Sequence, residues 1–188
     1  MPAYFGALTL VLLIGMVLTR VALLRKRGIE AMNFGKTDKT DFLILPFALF
    51  YIYLVLASAF GFPTISAVPF AHSEIVAWLG VLFCLIGLLL LLWSLVSFGK
   101  SFRVGIDADH PDKLITTGVY AISRNPIYVA FAFVLLGEFL IFGNWILLVY
   151  LVAGIWLFHR QVLREEDFLR RQYGKEYLEY SKRVRRYL

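Results

Sequence analysis

The sequence has a single cysteine, Cys84, so no internal disulfide can form, and we expect this residue to be a packing residue of the core. It has no glycine-rich strand-to-helix fingerprint, which argues against a soluble nucleotide-binding fold. The acidic loop around His110 shows no spacing that is typical of a metal site, so no bound metal is expected. Charged residues make up only 17% of the chain, and their pattern gives no support to nucleic-acid binding.

Long apolar segments dominate what remains. Hydrophobic residues make up 60% of the 188 residues and form runs of about twenty, the length that a hydrocarbon layer of roughly 30 Å requires. We therefore predict an all-α integral membrane protein that forms one domain over 1–188. The five predicted transmembrane helices are Ala3 to Leu24, Phe42 to Phe60, Ile75 to Phe98, Pro126 to Phe142 and Trp145 to Leu163.

Charge and turn signals set the predicted topology. The lysines and arginines fall at 20–39, 100–124 and 160–186, and five spans with an outside N-terminus place all three groups on the cytoplasmic side. The anionic headgroups of membrane lipids would face these groups. The short Gly143-Asn144 connection predicts that the last two spans form a tight antiparallel hairpin.

The polar link before the fourth span runs from Gly99 to Asn125 and carries the densest set of candidate site residues. Asn125 is predicted to cap the helix with its side-chain oxygen, and Pro126 suits the first helical position. Arg124 then stands just before the positive end of that helix, where a fixed cation and unpaired amides favour an anion. Tyr120 and Tyr128 offer flat aromatic faces to a ligand.

The C-terminal segment, or tail, begins at Arg164, and its sequence predicts an amphipathic helix along the cytoplasmic surface. Its apolar positions recur at spacings of three and four, and Gly174 can bend or interrupt it. Two readings of its paired acids are open: Glu165 and Glu166 either pair with arginine at i+4 on the helix surface or face Arg124 across a ligand site. The apolar face comprises Leu169, Tyr173, Tyr177, Tyr180, Val184 and Tyr187.

Glu138 is the one acid predicted deep in a span. It lies about twelve residues into the fourth helix, or some 18 Å along it. Buried carboxyl groups in bilayers are costly and are often functional. Because Glu138 is far from the link, we expect a neutral, hydrogen-bonded contact between helices instead of a catalytic group.

Together, the link, the hairpin and the tail resemble the isoprenylcysteine carboxyl methyltransferase family, within the group of membrane methyltransferases that includes phospholipid N-methyltransferases. The likeness runs from Leu114 to Val184, and the spacing of its blocks is more specific than any block alone. Asn125 stands where eukaryotic members usually have His, and Arg185 stands where Pro is common. The matching blocks are Leu114-Ile115, Thr117-Gly118-Val119-Tyr120, Arg124-Asn125-Pro126, Tyr128, Glu165-Glu166, Leu169, Tyr173-Gly174, Tyr177 and Tyr180.

The resemblance implies a methyltransferase that uses S-adenosyl-L-methionine and a lipophilic, isoprenylcysteine-like substrate that enters from the bilayer. It implies a three-helix apolar part over 1–98 and a cofactor-binding and catalytic part over 99–188. Arg124 and Glu165 are the expected catalytic residues. The expected cofactor-binding residues are His110, Leu114, Ile115, Gly118, Tyr120, Asn125, Pro126, Tyr128 and Glu166.

Two alternatives stay open. A phospholipid or small-amine N-methyltransferase would need a general base, for which Glu165 or Glu166 is the candidate. A carboxylate acceptor would need none, because it is already ionised near pH 7. A non-catalytic membrane protein that binds lipid or a partner through its basic tail would retain the same motif without turnover.

Overall fold

The computed structural model describes residues 1–26, 44–63, 73–98 and 114–188. Within these ranges the chain is all-helical. His110 and the rest of the acidic loop lie outside them, as does the predicted start of the second span at Phe42. The elements are α1 (Pro2–Arg25), α2 (Ile44–Phe60), α3 (Glu74–Phe98), a 3-10 turn (Gly118–Ala121), α4 (Pro126–Phe142), α5 (Trp145–Tyr173) and α6 (Lys175–Arg183).

The pairing of α3 with α4 is the centre of the bundle. A Cβ atom on Gly80 would lie 2.6 Å from the carbonyl oxygen of Gly137, and one on Gly87 would lie 2.8 Å from that of Ala130. The two backbones therefore touch, which is how small residues promote helix packing in membranes. Cys84 is buried at this contact, as predicted.

The other helices pack around this pair, and α1, α2 and α5 share an apolar cluster with α4. Leu10 of α1, Leu54 of α2, Val134 of α4 and Leu147 of α5 are buried together. The Tyr150 hydroxyl donates a hydrogen bond of 3.1 Å to the Phe47 carbonyl oxygen, which ties α5 to the first turns of α2. A second cluster joins α1, α3 and α4 through Leu24, Leu91 and Ala130.

Three of the helices, α1, α3 and α5, are long and apolar enough to cross a membrane. The apolar parts of α2 and α4 are shorter, at Pro46–Phe60 and Pro126–Phe142. Large apolar side chains on the outer face of α3, such as Leu82, Leu85 and Leu89, are about half exposed. Such a surface suits lipid and not water, as expected of an integral membrane protein.

The predicted hairpin is confirmed. Helix α4 ends at Phe142, and Gly143 adopts a left-handed conformation with φ 55°. The Asn144 side chain then accepts a hydrogen bond of 2.7 Å from the Ile146 amide and caps the start of α5. A left-handed glycine followed by an asparagine cap is sufficient to reverse the chain within two residues.

The C-terminal segment differs in part from the prediction. Helix α5 continues without a break to Tyr173, and Gly174 interrupts it at φ 50° before α6 begins. The predicted interruption is confirmed. The helical face was wrongly extended through Val184 and Tyr187, because α6 ends at Arg183 and the chain continues in an extended conformation.

Glu138 makes the interhelical contact that we expected, but not the hydrogen bond. It is fully buried, and a Cβ atom on Gly6 of α1 would lie 2.7 Å from its Oε2 atom. Neither carboxyl oxygen has a hydrogen-bond partner among the residues that the structure describes. The helix backbones around it already satisfy their own polar groups, so they offer no spare donor.

Candidate functional site

The link enters the site through a tight turn that rests on α3. Gly118 has φ 63°, and a Cβ atom there would collide with the Ser97 side chain. The next amide, of Val119, donates a hydrogen bond of 3.3 Å to the Ser97 Oγ atom. Glycine is therefore needed at this position both for its backbone conformation and for its lack of a side chain. The turn fixes where the following Tyr120 lies.

Arg124 forms a buried ion pair with Glu166. Its Nη2 atom lies 3.0 Å from the Glu166 Oε1 atom, and the two side chains are only 11% and 4% exposed. The Arg124 Nη1 atom donates a further hydrogen bond of 2.8 Å to the Ser181 carbonyl oxygen. One guanidinium thus joins the link to both α5 and α6. The Glu166 carboxylate therefore supplies the anion that we expected before α4.

Asn125 has the predicted position before α4 but not the predicted capping bond. Its Nδ2 atom instead donates to the Glu166 Oε1 atom at 3.1 Å and to the Arg186 carbonyl oxygen at 3.2 Å. A hydrogen bond to a buried carboxylate is stronger than one between neutral groups, which explains why the side chain turns away from the helix end. The capping prediction was wrong for this reason.

Arg186 completes the set around Glu166 and was missed from the sequence. Its Nε and Nη2 atoms lie 3.0 and 2.9 Å from the Glu166 Oε2 atom, so both Glu166 oxygens are occupied. Its backbone neighbour, Arg185, pairs with Ser123 as a short parallel bridge. The Glu166 hydrogen bond raises the pKa of Arg186. No spacing rule separates this arginine from the other basic residues of the tail.

Glu165 faces a different environment from that of its neighbour. The Tyr128 hydroxyl donates a hydrogen bond of 2.6 Å to the Glu165 Oε1 atom, and the Gln161 Nε2 atom donates one of 3.1 Å to the same atom. The Tyr128 ring lies 5.8 Å from that of Phe158, measured between centroids. Neither hydrogen bond of Glu165 is the predicted alternative, an ion pair with an arginine four residues further along the helix. Asp167 forms an ion pair of that kind with Arg171.

Helix α6 turns its tyrosines into the protein. Tyr177 and Tyr180 are buried, and the Tyr180 hydroxyl donates a hydrogen bond of 2.6 Å to the Tyr120 carbonyl oxygen. Burial, with the nearby Glu166 charge, raises the pKa of Tyr177 to about 12, and burial also raises the pKa of Tyr180. At these positions the apolar face that we predicted along the tail is covered by the protein itself.

At this site, three buried donors have no partner among the described residues: the Arg124 Nε atom and the hydroxyls of Tyr120 and Tyr177. They come from the link, the 3-10 turn and α6, the same elements that the Glu166 network joins. A buried polar atom without a partner costs free energy, so such atoms are rare unless a water molecule or ligand binds them. These three groups are candidate donors to a ligand that accepts hydrogen bonds.

The remaining predicted site residues are placed less distinctively. Pro126 is buried at the first position of α4, as predicted. Leu114 and Ile115 are half-buried where the described part of the link begins. His110 lies outside the described residues.

The chain is similar in sequence to known methyltransferases. Residues 75–176 match the family model described as phospholipid methyltransferase. Relatives named protein-S-isoprenylcysteine O-methyltransferase include those of Xenopus laevis (29% identity, covering 83% of this chain and 56% of the relative), Homo sapiens (30%, 83% and 57%) and Saccharomyces cerevisiae (29%, 72% and 58%). The chain therefore spans little more than half the length of these relatives. Because the family match covers more than half of this chain and contains the link, the hairpin and both acids, the chain belongs to the phospholipid methyltransferase family.

Proposed function

We propose that the protein is an S-adenosyl-L-methionine-dependent membrane methyltransferase that O-methylates the carboxylate of a lipophilic, isoprenylcysteine-like substrate. The observation that supports this most directly is the group of unpartnered donors on Tyr120, Arg124 and Tyr177 beside the Glu166 network. The names of the relatives point to the same reaction. S-adenosyl-L-methionine would supply an electrophilic methyl group on a sulfonium.

The residues present fit such a cofactor. Its carboxylate and ribose hydroxyls accept hydrogen bonds, which the Tyr120 and Tyr177 hydroxyls can donate. The Tyr128 ring offers an aromatic face to a cation or to adenine. Glu166 would act indirectly, by holding Arg124 and Asn125 in place. The wider set that we propose to surround the cofactor consists of His110, Leu114, Ile115, Gly118, Asn125 and Pro126.

Arg124 is the residue that we propose to hold the substrate carboxylate. Its Nη1 and Nη2 atoms bind Ser181 and Glu166, whereas its Nε–H group is unpartnered among the described residues. An arginine can bind a carboxylate side-on through Nε and one Nη atom, since each Nη atom carries a second proton. The carboxylate oxygen would form the new bond to the methyl carbon as the bond from that carbon to sulfur breaks. Alignment and removal of water are what the protein has to supply.

The membrane arrangement belongs to the same proposal. Five spans with the N-terminus outside place the three basic groups, and with them Arg124 and Glu166, on the cytoplasmic side. Helix α5 has 29 residues and is about 44 Å long, so its final turns extend beyond a hydrocarbon layer of about 30 Å. Glu165 and Glu166 would then stand outside the hydrocarbon. A soluble cofactor would enter from the cytosol, and the lipophilic substrate from the bilayer.

Methylation of a lipid amine is the second candidate, and the description of the matching family favours it. An amine must lose a proton, so a base would be required, and Glu165 is the candidate because it already accepts a hydrogen bond from Tyr128. The rate against pH separates the two. A carboxylate acceptor gives a plateau through neutrality, whereas an amine acceptor gives a rate that rises with pH.

The direct test is calorimetric binding of S-adenosyl-L-homocysteine to the purified protein, followed by transfer of a labelled methyl group to a prenylcysteine analogue or to a lipid extract. We expect binding and transfer to the analogue. Arg124→Lys keeps the charge but removes the Nε–H group, and it should reduce transfer far more than binding. Arg171→Ala, at an exposed ion pair on the same helix as Glu166, is the control. A well-folded protein that binds no nucleotide would overturn the proposal and favour a non-catalytic lipid-binding protein.

A further inference from the structure

Glu138 and the proposed methyl-transfer site lie at opposite ends of α4. Glu138 is one turn from the end of the helix at Phe142, about 18 Å along the axis from Pro126. It is fully buried, and both carboxyl oxygens are without a hydrogen-bond partner among the described residues. A carboxyl group in this situation is expensive to keep in a membrane protein, so it calls for a partner that the helices do not provide.

A second unpartnered group lies close to it. Tyr51 of α2 is buried, and its hydroxyl has no partner within the described ranges. It packs in one cluster with Leu10 of α1 and Val134 of α4, which lie one helical turn from Gly6 and from Glu138, and its hydroxyl shares no direct hydrogen bond with Glu138. The other nearby polar groups have neighbours of their own: the Thr9 hydroxyl donates to the Phe5 carbonyl oxygen at 2.8 Å. Two buried polar groups without a partner in one part of the core are best satisfied by a molecule that binds both.

Gly6 of α1 makes room for the Glu138 carboxyl group. A Cβ atom there would lie 2.7 Å from the Glu138 Oε2 atom and 3.0 Å from the Phe142 ring. Any larger residue would therefore press on the carboxyl group. Gly15, further along the same helix, has nothing within 4 Å of the corresponding position. Open space at Gly15 and a close carboxyl group at Gly6 make the two glycines a matched pair for experiment.

We propose that water occupies a buried site between the Glu138 carboxyl group and the Tyr51 hydroxyl and bridges α4 to α2 beside Gly6. Water fits because it can donate and accept at once, and buried waters commonly bind two to four otherwise unsatisfied polar atoms. A metal ion fits poorly, because no group of three or more His, Cys, Asp or Glu side chains comes together in the described part of the chain. The site is structural and separate from methyl transfer.

Solid-state NMR of the labelled full chain in lipid bilayers tests the proposal. Polarisation is transferred from water to side-chain carbons, and the Glu138 Cδ signal is identified as the one that Glu138→Gln removes. We expect transfer from water to this carbon, while the buried Val134 methyl groups show none. Tyr51→Phe and Gly6→Ala should each reduce the transfer, and Gly15→Ala should leave it unchanged.

Thermal unfolding gives an independent measurement if a variant folds poorly in bilayers. Bridged groups share a partner, so Glu138→Gln and Tyr51→Phe should shift the melting temperature by amounts that are not additive in the double variant. Non-additive shifts without transfer from water would mean a direct hydrogen bond and would overturn the proposal. Additive shifts without transfer would mean a dry site and would overturn it equally.

Discussion

Arg124 and Glu166, far apart in the chain, form an ion pair of 3.0 Å that is almost fully buried at the meeting point of the link, α5 and α6. The cation lies immediately before α4, and the anion lies in the last third of α5. Each ion has other partners: Ser181 for the arginine, and Asn125 and Arg186 for the carboxylate. The pair therefore fixes three segments relative to one another.

Removing Arg124 should destabilise the protein strongly. In Arg124→Ala the Glu166 carboxylate stays buried with part of its compensation lost, and breaking a buried pair in this way costs about 3–5 kcal/mol. Unfolding by denaturant in detergent micelles measures the change. Arg171→Ala breaks an exposed pair with Asp167 and should cost at most about 1 kcal/mol. Equal losses in the two variants would show that burial of the first pair has no energetic weight.

Two adjacent arginines near the C-terminus should differ in effect. Arg186→Ala removes two contacts to Glu166 and should weaken attachment of residues 184–188 by about 1–3 kcal/mol. Arg185 contributes its carbonyl oxygen to the Arg124 amide, and Arg185→Ala retains that bond. Hydrogen exchange of this segment, followed by mass spectrometry, should be faster in Arg186→Ala only. Faster exchange in both would point to general charge and not to the Glu166 contact.

Gly118→Ala should cost more than Gly61→Ala, although both glycines have positive φ. Left-handed backbone costs an L-residue about 1–2 kcal/mol in either case. Gly118 alone also faces the Ser97 side chain, so alanine there must push the turn away from α3. Unfolding free energies of the two variants, with Gly15→Ala as a third, test this order. A smaller loss at Gly118 would mean that Ser97 moves aside freely.

Alkaline pH should release α6 through Tyr177. Its pKa is raised to about 12 by burial and by the Glu166 charge, whereas an unfolded tyrosine titrates near 10. Between these values the unfolded chain loses the proton and the folded chain keeps it, so the stabilising contribution is complete below pH 10 and is lost as pH rises towards 12. The melting temperature of Tyr177→Phe should fall less steeply over this interval. Parallel curves for variant and wild type would exclude Tyr177 as the group responsible.

The main architecture was predictable because it depends on local rules. Runs of apolar residues, the Asn-Pro helix start and the Gly143-Asn144 turn predicted most of the described helix boundaries to within a few residues. The exception is α5, which continues ten residues beyond the predicted end at Leu163. The break at Gly174 was predictable for the same reason. The end of α6 was not predictable. Tyr187 matches the helical spacing of the apolar residues before it, although the chain is already extended at Val184. The spacing of apolar residues cannot show where the helix ends, because the extended segment is held by a contact between Arg185 and Ser123, which is distant in sequence.

The residues that come together at the site were easier to predict than the ion pairs and hydrogen bonds that they form. Proximity of Arg124 to the paired acids followed from placing both at one membrane face, and the structure brings Arg124 and Glu166 together. Which acid pairs with the arginine, and the part played by Arg186, depends on side-chain directions that a sequence does not encode locally. The cap at Asn125 failed for a similar reason, since the local rule ignored a competing carboxylate on another helix.

Many of the hydrogen bonds between the link and the C-terminal residues are accepted by carbonyl oxygens of the main chain. The acceptors are those of Tyr120, Ser181, Arg185 and Arg186. A carbonyl group is present whatever residue stands at a position. Evolution can therefore replace the side chains at these four acceptor positions without losing the bonds they receive, while the donors Arg124, Asn125 and Tyr180 have no such latitude. Homologues should accordingly vary more at acceptor positions that contribute only their backbone, such as Ser181, than at the donors.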